Sequence, residues 1–291
     1  MPTAAEIKVP SSSSIDVTGL ALAAQRRPHV PLADRSNRVM WINDERVFYA
    51  GLLGTMSDRT MGGWHLYVSL GEPIRIALGD DDWQTTDLAV VPPYQPHRVA
   101  CDERLVADLV IEPETVDAAG LPAFVRGGRG AVHDQAAIVR RVREFHAWLC
   151  ARGRALPLAT ADADAFLFGH PLPQRRLDAR IAGVLQTLRR DPAAAVTAGD
   201  CAAQAGLSFS RFLHLFKQET GASFRNLRAW KRARSLLHHV TRDANLVHVA
   251  LETGYPDSTH FSHTIRQVYG LRPRDIFAGS RQLTVLGAAG V

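Results

Sequence analysis

The strongest constraint on the fold of this chain is a helix-turn-helix pattern that occurs twice near its C-terminal end. In each copy a short apolar helix leads to a turn glycine, Gly206 or Gly254. A capping residue, Ser208 or Asp257, then begins an amphipathic second helix. The two glycines lie 48 positions apart (254 minus 206). Because the second helix of such a unit can enter the major groove of DNA, one chain would present two recognition helices.

Each second helix has an apolar face and an open face. The side chains predicted to be buried recur at helical spacing: Phe212, Leu215, Phe216, Phe261, Ile265 and Val268. The open faces carry mainly hydroxyl, imidazole and basic groups, which can bind base edges or phosphates. The predicted DNA-contacting residues are Ser210, Arg211, Leu213, His214, Lys217, Ser258, Thr259, Ser262, His263 and Arg266. Among them Leu213 could touch a thymine methyl, and Lys217 and Arg266 suit phosphates; for each the alternative is a solvated surface residue.

Charge is distributed unevenly along the 291 residues. The net charge is +5, yet residues 174–291 carry 17 Lys and Arg against 8 Asp and Glu, a balance of +9. The preceding 173 residues carry 17 against 21, a balance of −4. A basic surface alone also serves solubility, but here it coincides with the doubled helix-turn-helix pattern, which favours nucleic acid as the partner.

The N-terminal part consists of short apolar or alternating runs separated by turn residues. These runs, at 47–53, 64–70, 73–78, 88–91 and 105–111, predict a small antiparallel barrel or sandwich. A barrel of this size can hold a small molecule. The candidate effector-binding residues are Trp64, His65, Tyr67, Trp83, Tyr94 and His97, with plain core packing as the alternative for each.

An amphipathic helix follows the β-rich part. Ile138, Val142, Phe145 and Leu149 recur at spacings of four, three and four, so they form one apolar stripe. The stripe could pack on the barrel of its own chain or form a dimer seam with a second copy. The next stretch, 153–173, is rich in Gly, Ala and Pro and is predicted to be a linker.

A long helix is expected between the two helix-turn-helix units. Leu227, Trp230, Ala233 and Leu237 mark its apolar side. Its polar sides are expected to carry Arg225, Arg228, Lys231, Arg232 and Arg234.

The cysteines, the lengths of the apolar runs and the N-terminal residues limit the class of protein to which the chain can belong. Cys101, Cys150 and Cys201 are odd in number and widely separated, which argues against a disulfide framework or a zinc site and favours a reducing cytoplasm. No apolar run approaches the roughly 20 residues of a membrane span. The N-terminus lacks the order of a signal peptide and is expected to be a disordered or irregular tail, residues 1–38.

The C-terminal residues resemble the DNA-binding domain of AraC/XylS-type transcriptional regulators. The resemblance runs from about residue 178 to 277. It is carried by GLSFSRFLHLFK (206–217), ETG (219–221), SFR (223–225), GYPDSTHFS (254–262), YG (269–270) and RP (272–273). It implies two helix-turn-helix units joined by one long helix. The family's base-reading positions match Ser210, Leu213, His214, Ser258, Thr259 and His263, of which His214 and His263 stand where many members carry Arg.

The N-terminal part is similar, through residues 68–76 and 90–99, to the cupin-like sensor domain attached to many of these regulators. Metal-binding cupins need a His-x-His pair, a Glu and a later His around one cavity. The segment RTMGGW (59–64) before His65 contains no such pair, and His65 and His97 alone do not complete the site. We therefore predict no metal, no cofactor and no catalytic residue.

Together these features predict a multidomain α+β protein. Its parts are an irregular segment (1–38), a cupin-like antiparallel β-barrel (39–130), an amphipathic helix with linker (131–173) and an all-α DNA-binding domain (174–291). The expected function is sequence-specific, effector-controlled transcriptional regulation in the cytoplasm, associated with the nucleoid. The expected partners are double-stranded DNA, a small-molecule effector, a second copy in a homodimer and RNA polymerase. The alternatives are a constitutive dimeric DNA binder with a structural barrel and a cupin enzyme fused to a DNA-binding domain.

Overall fold

The short apolar runs of the N-terminal part form strands in two sheets. The computed structural model describes residues 37–54, 56–102, 105–152, 158–241 and 245–287, so the tail assigned to 1–38 lies almost entirely outside them. The strands are β1 (Val39–Ile42), β2 (Arg46–Leu52), β3 (Trp64–Ser69), β4 (Ile74–Leu78), β5 (Gln84–Thr86), β6 (Leu88–Val91), β7 (His97–Ala100), β8 (Leu105–Ile111), β9 (Gly130–Ala131) and β10 (Thr284–Leu286). The larger sheet has the order β10-β1-β2-β8-β3-β6-β9, and the smaller one β5-β4-β7. Pairing is antiparallel except between β10 and β1.

The two sheets share one apolar core, which confirms the predicted β-fold. In β4, Ile74 and Ile76 are fully buried while Arg75 is exposed, as a half-buried strand requires. On the larger sheet, Met40 and Tyr67 belong to the same buried cluster. We call this part, residues 39–131, the β-domain.

One short helix lies within the β-domain, between β8 and β9, and the other helices follow the β-domain in chain order. The helices are α1 (Ala123–Gly127), α2 (Ala136–Arg152), α3 (Thr160–Phe168), α4 (Ala179–Arg190), α5 (Ala198–Gln204), α6 (Phe209–Thr220), α7 (Phe224–Ser235), α8 (Leu246–Glu252), α9 (Ser258–Tyr269) and α10 (Pro273–Ser280). A short 3-10 turn, Leu236–His238, extends α7. None of the described helices is both long and apolar enough to cross a membrane.

Helix α2 packs on the outer face of the larger sheet of its own chain. Its predicted stripe, Ile138, Val142, Phe145 and Leu149, is buried there to 5% exposure or less. The ring of Phe145 meets those of Phe48 and Trp41 edge to face, with centroids 5.0 and 6.3 Å apart. A dimer seam through these four side chains is therefore not supported, because the sheet already covers them.

The stretch 153–173, predicted to be a linker, contributes a packed helix. Within its described residues, 158–173, α3 buries Ala163 and Leu167 in the cluster that holds α2. Asp164, 2% exposed, accepts from Nε and Nη2 of Arg46 at 3.0 and 2.8 Å. A bidentate buried pair of this kind fixes the helix to strand β2, so the sequence prediction of a linker was wrong here.

The two helix-turn-helix units have different core environments. The first, α5 and α6, forms its own cluster with α4 and the start of α7, in which Phe212, Phe216 and Phe224 are in ring contact. The second, α8 and α9, shares its core with the β-domain: Phe261 and Ile265 belong to the same continuous buried cluster as Met40 and Tyr67. After α10 the chain adds β10 to the edge of the larger sheet, although residues 284–286 were assigned to the C-terminal domain.

Candidate DNA-binding face and interdomain cavity

The first recognition helix, α6, begins where the sequence predicts. Gly206 has φ +62, a left-handed turn conformation that favours glycine. Ser208 is the cap, and its hydroxyl accepts from the Arg211 N–H at 3.4 Å. Phe212 and Phe216 are fully buried, so the opposite face of α6 is turned outward.

The second recognition helix, α9, repeats this arrangement. Gly254 has φ +81, and a Cβ there would lie 2.6 Å from the Ala193 Cα, so this turn requires glycine. The Asp257 carboxylate accepts from the N–H groups of Thr259 and His260, both at 2.8 Å. These bonds satisfy two of the free donors at the start of α9 and fix its direction.

The predicted DNA-contacting residues share two outward faces. On α6 the exposed ones are Ser210, Arg211, Leu213, His214 and Lys217; on α9 they are Thr259, Ser262, His263 and Arg266, with Ser258 half-buried. Sequence reasoning missed Phe209, which is 56% exposed at the first position of α6, four residues before Leu213. The sequence did contain a signal for it: Phe209 is an apolar side chain that directly follows the cap and does not fit the spacing of the buried residues.

The C-terminal end of α9 is attached to the β-domain. The Thr60 N–H donates to the carbonyls of Gln267 and Val268 at 3.2 and 3.1 Å. Gly270, with φ +71, lies so close to this segment that a Cβ would meet the Ser57 Oγ at 2.3 Å. The loop before β3 therefore contacts the helix that carries half of the predicted DNA-binding residues.

A buried ion cluster joins α7 to the end of β8. The Glu112 carboxylate lies 2.7 Å from Lys231 Nζ and 2.6 Å from Arg234 Nε, and it accepts from Trp230 Nε1 at 2.9 Å. Lys231 Nζ also lies 2.6 Å from Glu114. Burial opposes ionisation of Glu112, but the two cations outweigh it and hold its pKa at about 2. Lys231 and Arg234 were expected on the polar sides of the helix; instead they are 6% and 5% exposed.

A cavity of about 480 Å³ lies between the β-domain and the C-terminal helices. Its volume is within the range of small-molecule pockets. The β-domain contributes apolar residues and a polar group of His65, Tyr67, Arg59 and Asp108. Trp230 is one of several C-terminal residues that complete the wall. A molecule bound here would touch both parts of the chain.

Two of the six candidate effector-binding residues, His65 and Tyr67, line this cavity. The other four lie elsewhere. Trp64 packs against the buried cluster between the larger sheet and α2, and Trp83 is 38% exposed beneath the Arg98 guanidinium. Tyr94 packs against both the core of the first helix-turn-helix unit and the core of the β-domain. Arg59 and Asp108, which the sequence analysis did not single out, are polar lining residues instead.

His97 is a hydrogen-bonded core histidine. Its Nδ1 lies 2.9 Å from the Gln95 carbonyl and its Nε2 lies 2.9 Å from the Tyr67 hydroxyl. Burial lowers its pKa to about 3, so the ring is neutral. In this network Nδ1–H donates to the carbonyl and Nε2 accepts from tyrosine, the arrangement that satisfies both ring atoms.

Metal-binding side chains do not cluster in the described part of the chain. No group of three or more His, Cys, Asp and Glu there could hold a metal ion. In the cavity, both Asp108 oxygens lie 3.0–3.1 Å from His65 Nδ1, so this carboxylate is engaged within the protein.

Known proteins match the chain in its helix-turn-helix region and in its fold. Residues 201–279 match the helix-turn-helix domain family. The chain is 33% identical over 72 residues to invasion protein InvF of Salmonella typhimurium, which is 24% of this chain and 33% of InvF. It is 33% identical over 105 residues to the HTH-type transcriptional activator RhaS of Escherichia fergusonii, 35% of this chain and 37% of RhaS. The chain thus spans about a third of the length of the curated relatives it matches.

A fold comparison covers more of the molecule. The crystal structure of a variant of apo ToxT from Vibrio cholerae aligns with a TM-score of 0.51 at 10% identity, over 81% of this chain and 98% of ToxT. At this identity the match shows a shared fold and nothing further. Together the matched region and the two capped units confirm the resemblance: the C-terminal part of this chain is an AraC/XylS-type helix-turn-helix domain, joined to a β-sheet domain in a fold shared with ToxT.

Proposed function

We propose that this protein is a sequence-specific DNA-binding transcriptional regulator. The observation that carries the proposal is the pair of capped helices, α6 and α9, whose outward faces bear polar and basic side chains. The excess of 17 basic over 8 acidic residues in 174–291 supports it, because binding to DNA gains free energy from release of counterions. One relative, RhaS, is described as a transcriptional activator.

The outward residues divide into two chemical groups. Lys217 and Arg266 suit phosphate contacts, which position the protein without reading sequence. Ser258, Thr259 and His263 at the front of α9 suit hydrogen bonds to base edges, and Leu213 on α6 suits a thymine methyl. Sequence preference in this proposal therefore comes from different contacts in the two half-sites.

Control by a small molecule is the second part of the proposal. An effector in the interdomain cavity would touch the β-domain and Trp230 of α7 at once. It can regulate only by binding more tightly to one arrangement of the two parts than to another. The proposal also includes pairing with a second copy and contact with RNA polymerase. As a regulator of chromosomal DNA, the protein would act in the cytoplasm.

The deciding experiment selects duplexes bound by the full-length protein from a random pool. We expect an enriched sequence with two half-sites, and at physiological salt we expect random duplex to compete at least about a thousandfold less well than this sequence. Lys217→Ala should weaken binding, whereas Arg140→Ala, an exposed arginine on α2, should not. Failure to enrich any sequence contradicts the proposal.

A further inference from the structure

Arg59 is a buried cation that lines the interdomain cavity. It is only 6% exposed, and its backbone is fixed to β7: its N–H donates to the His97 carbonyl at 3.1 Å and its carbonyl accepts from the His97 N–H at 3.0 Å. Its Nε and Nη2 are buried and donate to no acceptor among the residues described. A buried guanidinium without an anionic partner is costly, which makes this edge of Arg59 a strong site for an anion.

Arg46 shows what such an edge can bind in this protein. Its Nε and Nη2 donate to the two oxygens of Asp164 at 3.0 and 2.8 Å, in a fully buried pair. The same two nitrogens of Arg59 form the edge that has no acceptor. A guanidinium edge and a carboxylate are complementary in spacing and plane, so a carboxylate is the ligand group that fits.

Within the described residues, Nε and Nη2 of Arg59 have no acceptor. The Asp108 carboxylate lines the same cavity, but its two oxygens lie 3.1 and 3.0 Å from His65 Nδ1 instead. Burial raises the pKa of Tyr49 to about 12 and that of Tyr67 well above its usual value, so both phenols are neutral. Much of the remaining wall is apolar, including Trp230 and Leu237 from the C-terminal part.

We propose that the cavity binds a small monocarboxylate with an apolar body. Its two oxygens accept from Nε and Nη2 of Arg59, and its body packs against Trp230, Leu237 and Tyr269. The inference deepens the proposed function by giving the chemical class of the effector, and it rests on that function only for its regulatory consequence.

The position of Arg59 connects this ligand to a recognition helix. The next residue, Thr60, donates to the last carbonyls of α9, and the Met61 carbonyl accepts from the Tyr94 N–H at 2.7 Å. A ligand that holds Arg59 therefore also holds the segment against which α9 ends. We expect binding to strengthen the docking of the second helix-turn-helix unit on the β-domain and to change DNA affinity.

The test compares acids with their neutral counterparts on the full-length protein. Hexanoate, octanoate, decanoate and 4-phenylbutanoate, each paired with its primary amide, are titrated by calorimetry and by thermal unfolding. We expect at least one acid to bind and raise Tm, and its amide to bind about tenfold or more weakly, because the amide loses a charge-assisted bond. Arg59→Gln should abolish the preference for acid over amide, while Arg75→Gln, on the surface, should leave it unchanged.

Arg59→Gln has a second readout that needs no ligand. Since it removes a buried cation whose Nε and Nη2 have no acceptor among the described residues, its Tm without ligand should not fall below that of the wild type. Equal binding of acid and amide, full acid binding by Arg59→Gln, or no binding of any acid up to millimolar concentration overturns the inference. The acid-amide comparison on the unchanged protein decides the question even if the variant does not fold. Duplex selection without ligand tests DNA binding separately, so failure of either proposal can be distinguished.

Discussion

Removal of the negative charge of Glu112 should weaken the attachment of α7 to the β-domain. In the native protein this fully buried carboxylate balances Arg234 and shares Lys231 with Glu114. In Glu112→Gln the side-chain volume is kept and one oxygen can still accept a hydrogen bond. The change therefore isolates the loss of charge in the ion cluster.

The magnitude follows from what each cation retains. Removal of one partner from a buried ion pair costs about 3–5 kcal/mol. Lys231 keeps Glu114, and Arg234 keeps its bonds to the backbone carbonyls of Asn43 and Arg46. We therefore expect the lower end, about 3 kcal/mol in the free energy of unfolding.

Urea unfolding followed by tryptophan fluorescence measures this cost, because Trp230 itself donates to Glu112. The matched control is Glu144→Gln, whose carboxylate forms a partly exposed pair with Arg140 at 3.8 Å and should cost less than about 1 kcal/mol. The pH dependence gives a second readout. Because the folded pKa of Glu112 is depressed to about 2, its contribution is complete above its unfolded pKa, about 4.3, and is lost as pH falls toward 2.

The variant should lack that component of acid destabilisation. A cost no larger than that of the control, or an unchanged acid profile, would refute the assignment of the cluster as an interdomain attachment.

Three further predictions concern the recognition helices and α2. Lys217→Ala should lower the affinity for all duplexes alike and reduce the slope of log K against log salt by about one. Ser258→Ala should instead alter the base preference in one half-site. If both variants lost affinity equally for every sequence in a binding titration, the assignment would be contradicted. Replacing thymine by uracil in the half-site read by α6 should weaken wild-type binding by about 0.8 kcal/mol, roughly fourfold, for each methyl contacted, and Leu213→Ala should be insensitive to the same replacement. Phe145→Ala should destabilise the protein by about 3–5 kcal/mol in urea without changing its molar mass by light scattering, and a shift in molar mass alone would revive the dimer seam.

Local patterns predicted the recognition helices, because their signals are contained within a few residues. The caps Ser208 and Asp257 and the glycines before them specify helix starts on their own, and the apolar spacing of α6 and α9 specifies their buried faces. The open face of each helix then consists of the positions that the buried spacing leaves out. This is why the candidate DNA-binding residues could be located from sequence.

The partner of each buried surface could not be predicted in this way. The stripe of α2 requires an apolar neighbour but does not say whether that neighbour is a sheet or a second copy. Lys231 was predicted to lie on the polar side of α7, because its partner, Glu112, is 119 positions earlier in the chain and leaves no local signal. Residues 160–168 have a linker-like composition, yet Asp164 pairs with Arg46 at a separation of 118. The cavity depends on such long-range pairs, so its key polar residue, Arg59, carried no local signal.

The parallel pairing of β10 with β1 has a consequence for how the protein is made. Val39 faces Thr284 across this pair, so β1 gains its second neighbouring strand only when residue 284 has been synthesised, 245 positions (284 minus 39) further along the chain. Until then β1 presents unpaired backbone groups of the kind that recruit strands from other molecules. Loss of β10 should therefore cause newly made protein to aggregate before it causes any defect in the helices that precede this strand.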